Sequence, residues 1–405
     1  MQFFRKQQPK RIYADAAAAT PLAPEVKEVM LSMFDIYGNP GALHKEGSVA
    51  KEALEAARRE AAGAIGAHHD EVVFASSGTE ANNLALFGVL AAQESEARHV
   101  ITSSIEHPSV LEPLKRQEKH GVRVSYLDVT EDGLLDLKRI HDAITDETIL
   151  ITLALINSEI GTVQDIRGIA KMVRKIRKER TLRLAQGKKV LPLLIHVDAS
   201  QAPLWMTLRV EQLGIDLMTL DGQKILGPKG VGALYVRRGT PIFAQTLGGD
   251  QERGLRAGTE NVPLVSGFAR ALSLAQKACE KNAVHVSSLR DELLRDIRLL
   301  VPEVVVNGSM SDRVANNLNI SIPGLVGELA VIALSAKGIA ASTRSACSTS
   351  DDDASHVLVG IGRDQKTARE ALRLSFLPSL TLYDIAAIYK ALREVCERYR
   401  GTHFD

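Results

Sequence analysis

Residues 215–236 read IDLMTLDGQKILGPKGVGALYV. The apolar run before Asp221 predicts a strand, and the small and β-branched residues from Val231 predict a second one. Between them lie a turn carrying Lys224 and a tight Gly-Pro-Lys-Gly loop. Glycines at 222, 227, 230 and 232 let the backbone close around that lysine and turn its amine toward a pocket. An amine withdrawn from water loses solvation, its pKa falls, and it can form a Schiff base with a carbonyl. Pyridoxal phosphate is the commonest carbonyl cofactor held in this way. Taken alone, the stretch fits a surface lysine in a β-turn equally well.

The stretch before it, VLPLLIHVDASQ (190–201), runs from an apolar strand into Asp198. A carboxylate at the end of a buried strand needs a cation or donor. A protonated pyridine nitrogen is such a partner, and pairing with it preserves the cofactor's ability to absorb electrons. A helix-capping aspartate is the plainer alternative. Further upstream, strand-like segments alternate with helical ones: EVVFA (71–75), HVITSS (99–104), VRVSYLDV (122–129) and TILITLALIN (148–157). That alternation predicts a mainly parallel sheet covered on both faces. Ligands of such sheets sit at the strand C-termini, where His107, Asn157 and Ser158 fall. A histidine after a strand is more often structural. SSGTEANN (76–83) places Ser76, Ser77, Gly78 and Thr79 at a helix start, either as a phosphate cradle or as a simple cap with Glu80 in the first turn.

Near the start, IYADAAAATP (12–21) leads to a helix expected from about Pro21, with Pro24-Glu25 as a second start signal. After a loop at 37–47, an alanine-rich helix is expected over 48–63. The segment 171–189 is strongly basic and reads as a solvated helix face and loop rather than a nucleic-acid patch. The glycine- and arginine-rich 248–263 reads as a loop whose Arg256 and Thr259 could meet an anion or simply water. A long helix from Val262 leads to a second, smaller domain. It has strands in 303–308 and 316–324, a helix over 326–337, a loop over 339–355, a helical stretch over 366–372, a strand LRLSF and a last helix to about Arg400.

The chain has 405 residues, is 45% hydrophobic and 24% charged, and carries a formal net charge of +1. These values suit a globular protein large enough for two domains, with no global attraction to nucleic acid or acidic membrane. No apolar run approaches the roughly 18 residues that span a bilayer. MQFFRKQQPKR at the start lacks the apolar core of a secretory signal. The three cysteines, Cys279, Cys347 and Cys396, are too few and too scattered for a disulfide framework or zinc site, which points to a reducing cytoplasm. Cys279 and Cys396 fall on helical patterns and read as packing residues. Cys347 lies in a polar loop, ASTRSACSTSDDDASH (341–356), and reads as an accessible thiol. Arg344 favours its thiolate and the aspartates at 351–353 oppose it.

The motifs GNP (38–40), SSGTEANN, EHPSV (106–110), NSEIGTVQDI (157–166), HVDASQ (196–201), GQKILGPKGVGALYVRR (222–238), RAGTEN (256–261) and RSACS (344–348) occur in this order. In that order the chain resembles the cysteine desulfurases of NifS and IscS type, in the class V aminotransferase superfamily, from Tyr13 to about Arg400. The resemblance implies the fold type I architecture of pyridoxal-phosphate enzymes. It has a large domain, 14–261, with a mainly parallel, mixed seven-stranded sheet between helices, and a smaller α+β domain, 1–13 with 262–405, carrying the cysteine loop. It implies a homodimer that converts L-cysteine to L-alanine and passes sulfur through Cys347 to an acceptor for iron–sulfur cluster assembly or tRNA thiolation. Lys224 would hold the cofactor and move protons, His107 would stack on its ring, Asp198 would pair with its ring nitrogen, and Gln201 would meet its phenolic oxygen. Gly78 and Thr79 would hold its phosphate, with Thr259 reaching in from the second subunit. Asn157, Ser158, Asp221, Gly222 and Gln223 would complete the cofactor site. Arg373 would clamp the substrate carboxylate with Asn39 beside it. No metal is implied beyond a transient iron–sulfur contact at Cys347.

The sequence departs from the family where Asp221-Gly222-Gln223 replaces Ser-Gly-His and where Ser158 replaces an asparagine. The 171–189 connection is longer and more basic than usual, and the scaffold-docking tail of the IscS type has no counterpart after the last helix. The same fold also hosts selenocysteine lyases and aminotransferases, and a non-catalytic binding homologue is the alternative that Asp221 raises. Direct nucleic-acid binding is not expected.

Overall fold

The computed structural model describes residues 11–93, 98–187, 190–343 and 354–400. The chain opens with a two-residue strand, β1 (Ile12–Tyr13). There follow β2 (Val72–Ala75), β3 (His99–Ser103), β4 (Arg123–Leu127), β5 (Thr148–Ala154), β6 (Leu194–Asp198), β7 (Leu217–Asp221) and β8 (Gly232–Val236). These last seven form one sheet in the order β2-β8-β7-β6-β5-β3-β4. Pairing is antiparallel on both sides of β8 and parallel elsewhere. Hence β8 alone runs against the rest, and the other strands end on one shared edge.

Along the sheet, successive residues face opposite layers. Val72 and Phe74 join one apolar cluster while Val73 and Ala75 join another; Ile101, Ile151, Ile195 and Met218 belong to the first, and Val100, Leu150, Leu194 and Leu217 to the second. This two-residue period on strands buried throughout is what helices on both faces require. The basic segment is mostly the helix Ile166–Ala185. Its cations tie it to the sheet: Arg177 pairs with Asp216, Arg180 donates to the Thr145, Thr148 and Leu191 carbonyls, and Arg183 pairs with Asp146.

The remaining strands are β9 (Val305–Val306), β10 (Asn317–Ser321), β11 (Ile339–Ala340) and β12 (Ala371–Ser375). β12, β10 and β9 make an antiparallel sheet, and β11 pairs with β1 in parallel. The helix Val262–Leu300 packs on the helices Pro24–Met33 and Lys45–Ile65 and reaches β10. Two sequence expectations shift. The first helix starts at Pro24 rather than near Pro21, because residues 16–18 form a turn and the Thr20 and Ala23 N–H groups are spent on the Gln223 and Leu226 carbonyls of the lysine turn. The helical stretch at 366–372 ends at Arg369, and Ala371 and Leu372 already belong to β12.

Candidate functional site

The shared strand edge brings the predicted residues together. A cavity of about 290 Å³ is lined by Gly78, Thr79, His107, Asn157, Ser158, Asp198, Gln201, Asp221, Gln223, Lys224 and Arg373, with Asn82, Glu106, Ser109, Ser200 and His356 among its other walls. β2 delivers Gly78, β3 delivers Glu106 and His107, β5 delivers 157–159, β6 ends on Asp198 and β7 on Asp221. Lys224 closes the short turn Gly222–Lys224.

Lys224 Nζ donates to the Ala17 carbonyl at 2.8 Å and the Ala18 carbonyl at 2.5 Å. Gln201 Nε2 donates to the same Ala17 carbonyl at 3.0 Å. Thr20 pins the lysine turn from the same segment: its hydroxyl donates to the Gln223 carbonyl at 2.9 Å and accepts from the Leu226 N–H at 2.8 Å. Leu226 has φ of 61°, a left-handed conformation unfavourable for a branched side chain.

Asp198 accepts from Asn82 Nδ2 at 2.8 Å and from the Ser200 N–H at 3.0 Å. Asn82 Nδ2 also donates to Ser109 Oγ at 2.8 Å, and that oxygen lies 2.8 Å from His107 Nδ1. His107 caps the helix Pro108–Glu118, its Nδ1 accepting the Ser109 N–H, so the neutral ring carries its proton on Nε2. Burial pushes the His107 pKa down, against the pull of Asp198, and so favours that neutral ring. Glu106, which sequence reasoning did not single out, is buried beside Asp198. It accepts from the Ala154 N–H and bonds Ser103 Oγ, and burial pushes its carboxyl up to about 8. Its only sequence signal was its place inside EHPSV.

Ser77 caps the helix Gly78–Ala91 and Glu80 accepts the Ser76 N–H, so the cap reading holds for those side chains. Gly78 stands at the cavity wall. A Cβ there would lie 3.1 Å from Asp221 Cβ, 3.2 Å from its Oδ2 and 3.2 Å from Ser200 Oγ. Asp221 accepts from the Gln223 N–H and side-chain amide. Arg373 is 1% exposed; it donates to the Ser158 carbonyl at 3.1 Å and to Asp15 Oδ1 at 2.8 Å. Asn157 lines the cavity, but its amide holds the local turn through Ile105, Glu159 and Ile160.

Three predicted residues stand outside this wall. Gly222 is buried behind it, where a Cβ would meet the Pro228 carbonyl oxygen at 2.7 Å. Asn39 turns its carbonyl to the Gly41 N–H. Thr259 lines a separate cavity with Ser76, Glu252 and Arg256. Cys347 lies outside the described residues. Cys279 and Cys396 are buried and free, as packing residues should be.

The donor set suits a phosphorylated pyridine aldehyde. A lysine amine, a carboxylate, a neutral imidazole and a glycine-lined helix start face one cavity. Among the described residues, two deeply buried polar atoms of its walls, Asn82 Oδ1 and Arg373 Nε, have no hydrogen-bond partner, which is what a site shaped around a polar ligand leaves.

Comparison with known proteins agrees with this geometry. Residues 12–388 match the aminotransferase class-V family. The chain is 37% identical over 392 residues to a cysteine desulfurase IscS of Dictyoglomus turgidum, covering 96% of each. A solved NifS-like protein superposes with a TM-score of 0.87 at 32% identity, over 96% of this chain and 99% of that one. A structure of SspA in complex with cysteine superposes at 0.76 with 31% identity, over 91% of this chain and 100% of that one.

Proposed function

The chain belongs to the aminotransferase class-V family, and from that premise we propose that it is a pyridoxal-phosphate-dependent cysteine desulfurase, releasing L-alanine from L-cysteine and retaining the sulfur on Cys347. The observation that carries this reading is the convergence of Lys224, Asp198, His107 and Arg373 on one cavity. Pyridoxal phosphate, when bound, draws electrons from the substrate's amine and Cα and so weakens its C–S bond.

The protein's own groups do the rest. Gly78 and Thr79, at a helix start, would hold the phosphate, joined by Thr259 of a second copy. Asp198, held by Asn82 and Ser200, would pair with the ring nitrogen. His107, with its proton on Nε2, would stack on the ring and assist proton transfer. Gln201 would meet the phenolic oxygen; Asn157, Ser158, Asp221 and Gln223 shape the remaining wall, with Gly222 packed behind it. Lys224 holds the cofactor and then returns a proton to the substrate carbon. Arg373 takes the α-carboxylate, with Asn39 at the margin. The Cys347 thiolate takes the substrate sulfur, an S–S bond replacing the C–S bond, and the carbon skeleton leaves as alanine. An acceptor protein of cluster assembly or tRNA thiolation then removes the sulfur.

A homodimer is part of this reading. Phe34, Tyr37, Leu43 and Leu247 are 63%, 83%, 100% and 83% exposed, apolar surface of the kind that a second copy covers. The division into a large domain, 14–261, and a small one from residue 262 with 1–13 is supported by the change of sheet after Asn261. No helix among the described residues is long and apolar enough to cross a membrane, and the buried free thiols support a reducing cytoplasm. The attachment of Arg177, Arg180 and Arg183 to the protein's own groups supports a structural role for the basic helix rather than nucleic-acid binding.

The test is alanine and sulfide release from L-cysteine with cofactor and a reductant, for the wild type and Cys347→Ala. Equal amounts from the wild type and neither from the variant support the reading. Cofactor uptake without alanine overturns it in favour of another reaction of this fold, and no cofactor absorbance band overturns it in favour of a non-catalytic role.

A further inference from the structure

Arg373 carries five N–H donors, and two are engaged by groups of known position: the Ser158 carbonyl at Nη1 and Asp15 Oδ1 at Nη2. Nε has no partner among the described residues, although the side chain is buried and lines the cavity. A guanidinium out of water needs acceptors for its N–H groups, and Asp15 supplies one from a point fixed by the backbone. The Ser375 N–H donates to the Ala14 carbonyl, the Ala16 N–H donates to the Ser375 carbonyl, and the Ala17 N–H donates to Ser375 Oγ. Asp15 is therefore clamped to β12, the strand that carries Arg373. The same segment continues into Ala17 and Ala18, whose carbonyls receive Lys224. One short stretch thus sets the position of both cationic groups of the cavity.

We propose that Asp15 is a positioning residue for Arg373, fixing one edge of the guanidinium so that the Nε edge is left for the substrate's carboxylate. This rests on the reading of Arg373 as the carboxylate clamp. A bidentate clamp works only within a narrow angular range, and Arg373 without Asp15 would turn toward other acceptors around it. A merely structural counter-ion would change stability and leave ligand affinity alone.

The experiment compares Asp15→Ala, Asp15→Ser and Asp15→Asn with the wild type in the cofactor-loaded enzyme. It reads KM and kcat for L-cysteine, the calorimetric Kd of L-alanine and the melting temperature. Serine keeps the segment polar but is too short to reach Arg373, so it answers if the alanine variant fails to fold. Asparagine keeps an oxygen in place. The proposal expects Ala and Ser to raise KM and the alanine Kd together by about tenfold or more, with kcat within about threefold, and Asn to stay within about threefold of wild type. An unchanged alanine Kd in Ala and Ser, a kcat loss at constant KM, or an Asn variant as weak as Ala would each overturn it. Arg373→Ala is the control for the underlying reading. If that variant binds alanine as wild type does, Arg373 is not the carboxylate clamp, whatever Asp15 does.

Discussion

Asn82 donates to the Asp198 carboxylate at 2.8 Å and, with the same amide nitrogen, to Ser109 Oγ at 2.8 Å. One buried side chain therefore couples the acid of the cavity to the histidine of the cavity. Asn82→Ala leaves Asp198 with the Ser200 N–H and removes the Ser109 contact. It is expected to reduce stability by about 1–3 kcal/mol and to slow desulfuration about tenfold, read from denaturation and initial rates. Asn82→Asp, which sets a second carboxylate against Asp198, should do worse. Equal losses in the two variants would show that packing rather than the donor matters.

Glu106 gives the protein a pH dependence with a definite sign. Its carboxyl is held up to about 8 by burial, with Asp198 pushing the same way, while in the unfolded chain it titrates near about 4.3. Between those values the folded protein keeps a proton that the unfolded chain gives up. This contribution to stability is therefore complete below the lower value and is lost as pH rises to the upper one. Glu106→Gln, neutral in both states, should melt increasingly above the wild type as pH climbs from about 5 to about 8, after which the gap levels. A gap that does not change with pH would refute the buried neutral acid.

Asp221 stands against Gly78 at the helix start, where the cofactor phosphate is proposed to sit. A carboxylate there repels a dianion. Asp221→Ser should tighten cofactor binding by about fivefold to tenfold at low salt, measured by fluorescence titration of the apoprotein. Unchanged or weaker binding would mean that Asp221 does not face the phosphate.

Glu252 is 4% exposed and accepts two hydrogen bonds from Arg58 at 2.6 and 2.8 Å and one from the Phe74 N–H at 2.8 Å. Arg58 lies 4.8 Å from the centre of the Phe74 ring. Glu252→Ala leaves the buried Arg58 guanidinium with only Glu55 and the Val72 carbonyl and should cost about 1–3 kcal/mol in equilibrium unfolding. A loss under about 1 kcal/mol would show that Arg58 finds another acceptor.

Much of the cavity was legible because its chemistry is written in side chains at strand ends. Lys224, Asp198 and His107 each follow an apolar run, and a parallel sheet gathers such ends at one edge. The reversal of β8 was not legible, since alternation along a strand is the same in either direction. Nor were the acceptors of Lys224. Ala17 and Ala18 act through carbonyls, which every residue possesses, and alanine marks nothing in a sequence. Asp15 and Glu106 escaped for a different reason: the groups that give them meaning, Arg373 for one and the Ala154 N–H and Asp198 for the other, are far away in the chain. Arg180 read as part of a solvated basic run, yet it is 6% exposed, with its guanidinium on three carbonyls.

The ion pair of Asp15 with Arg373 joins residues 358 positions apart, and Ser375 holds the backbone on either side of Asp15. A ribosome makes Asp15 358 residues before Arg373. The large sheet, complete by residue 236, can form during synthesis with Gln201 and Thr20 holding residues 17–20 against it, but the clamp on Asp15 waits until β12 emerges. The cavity is thus finished only after the large sheet, and a chain truncated before β12 would have the lysine and aspartate of the site without Arg373 and its clamp.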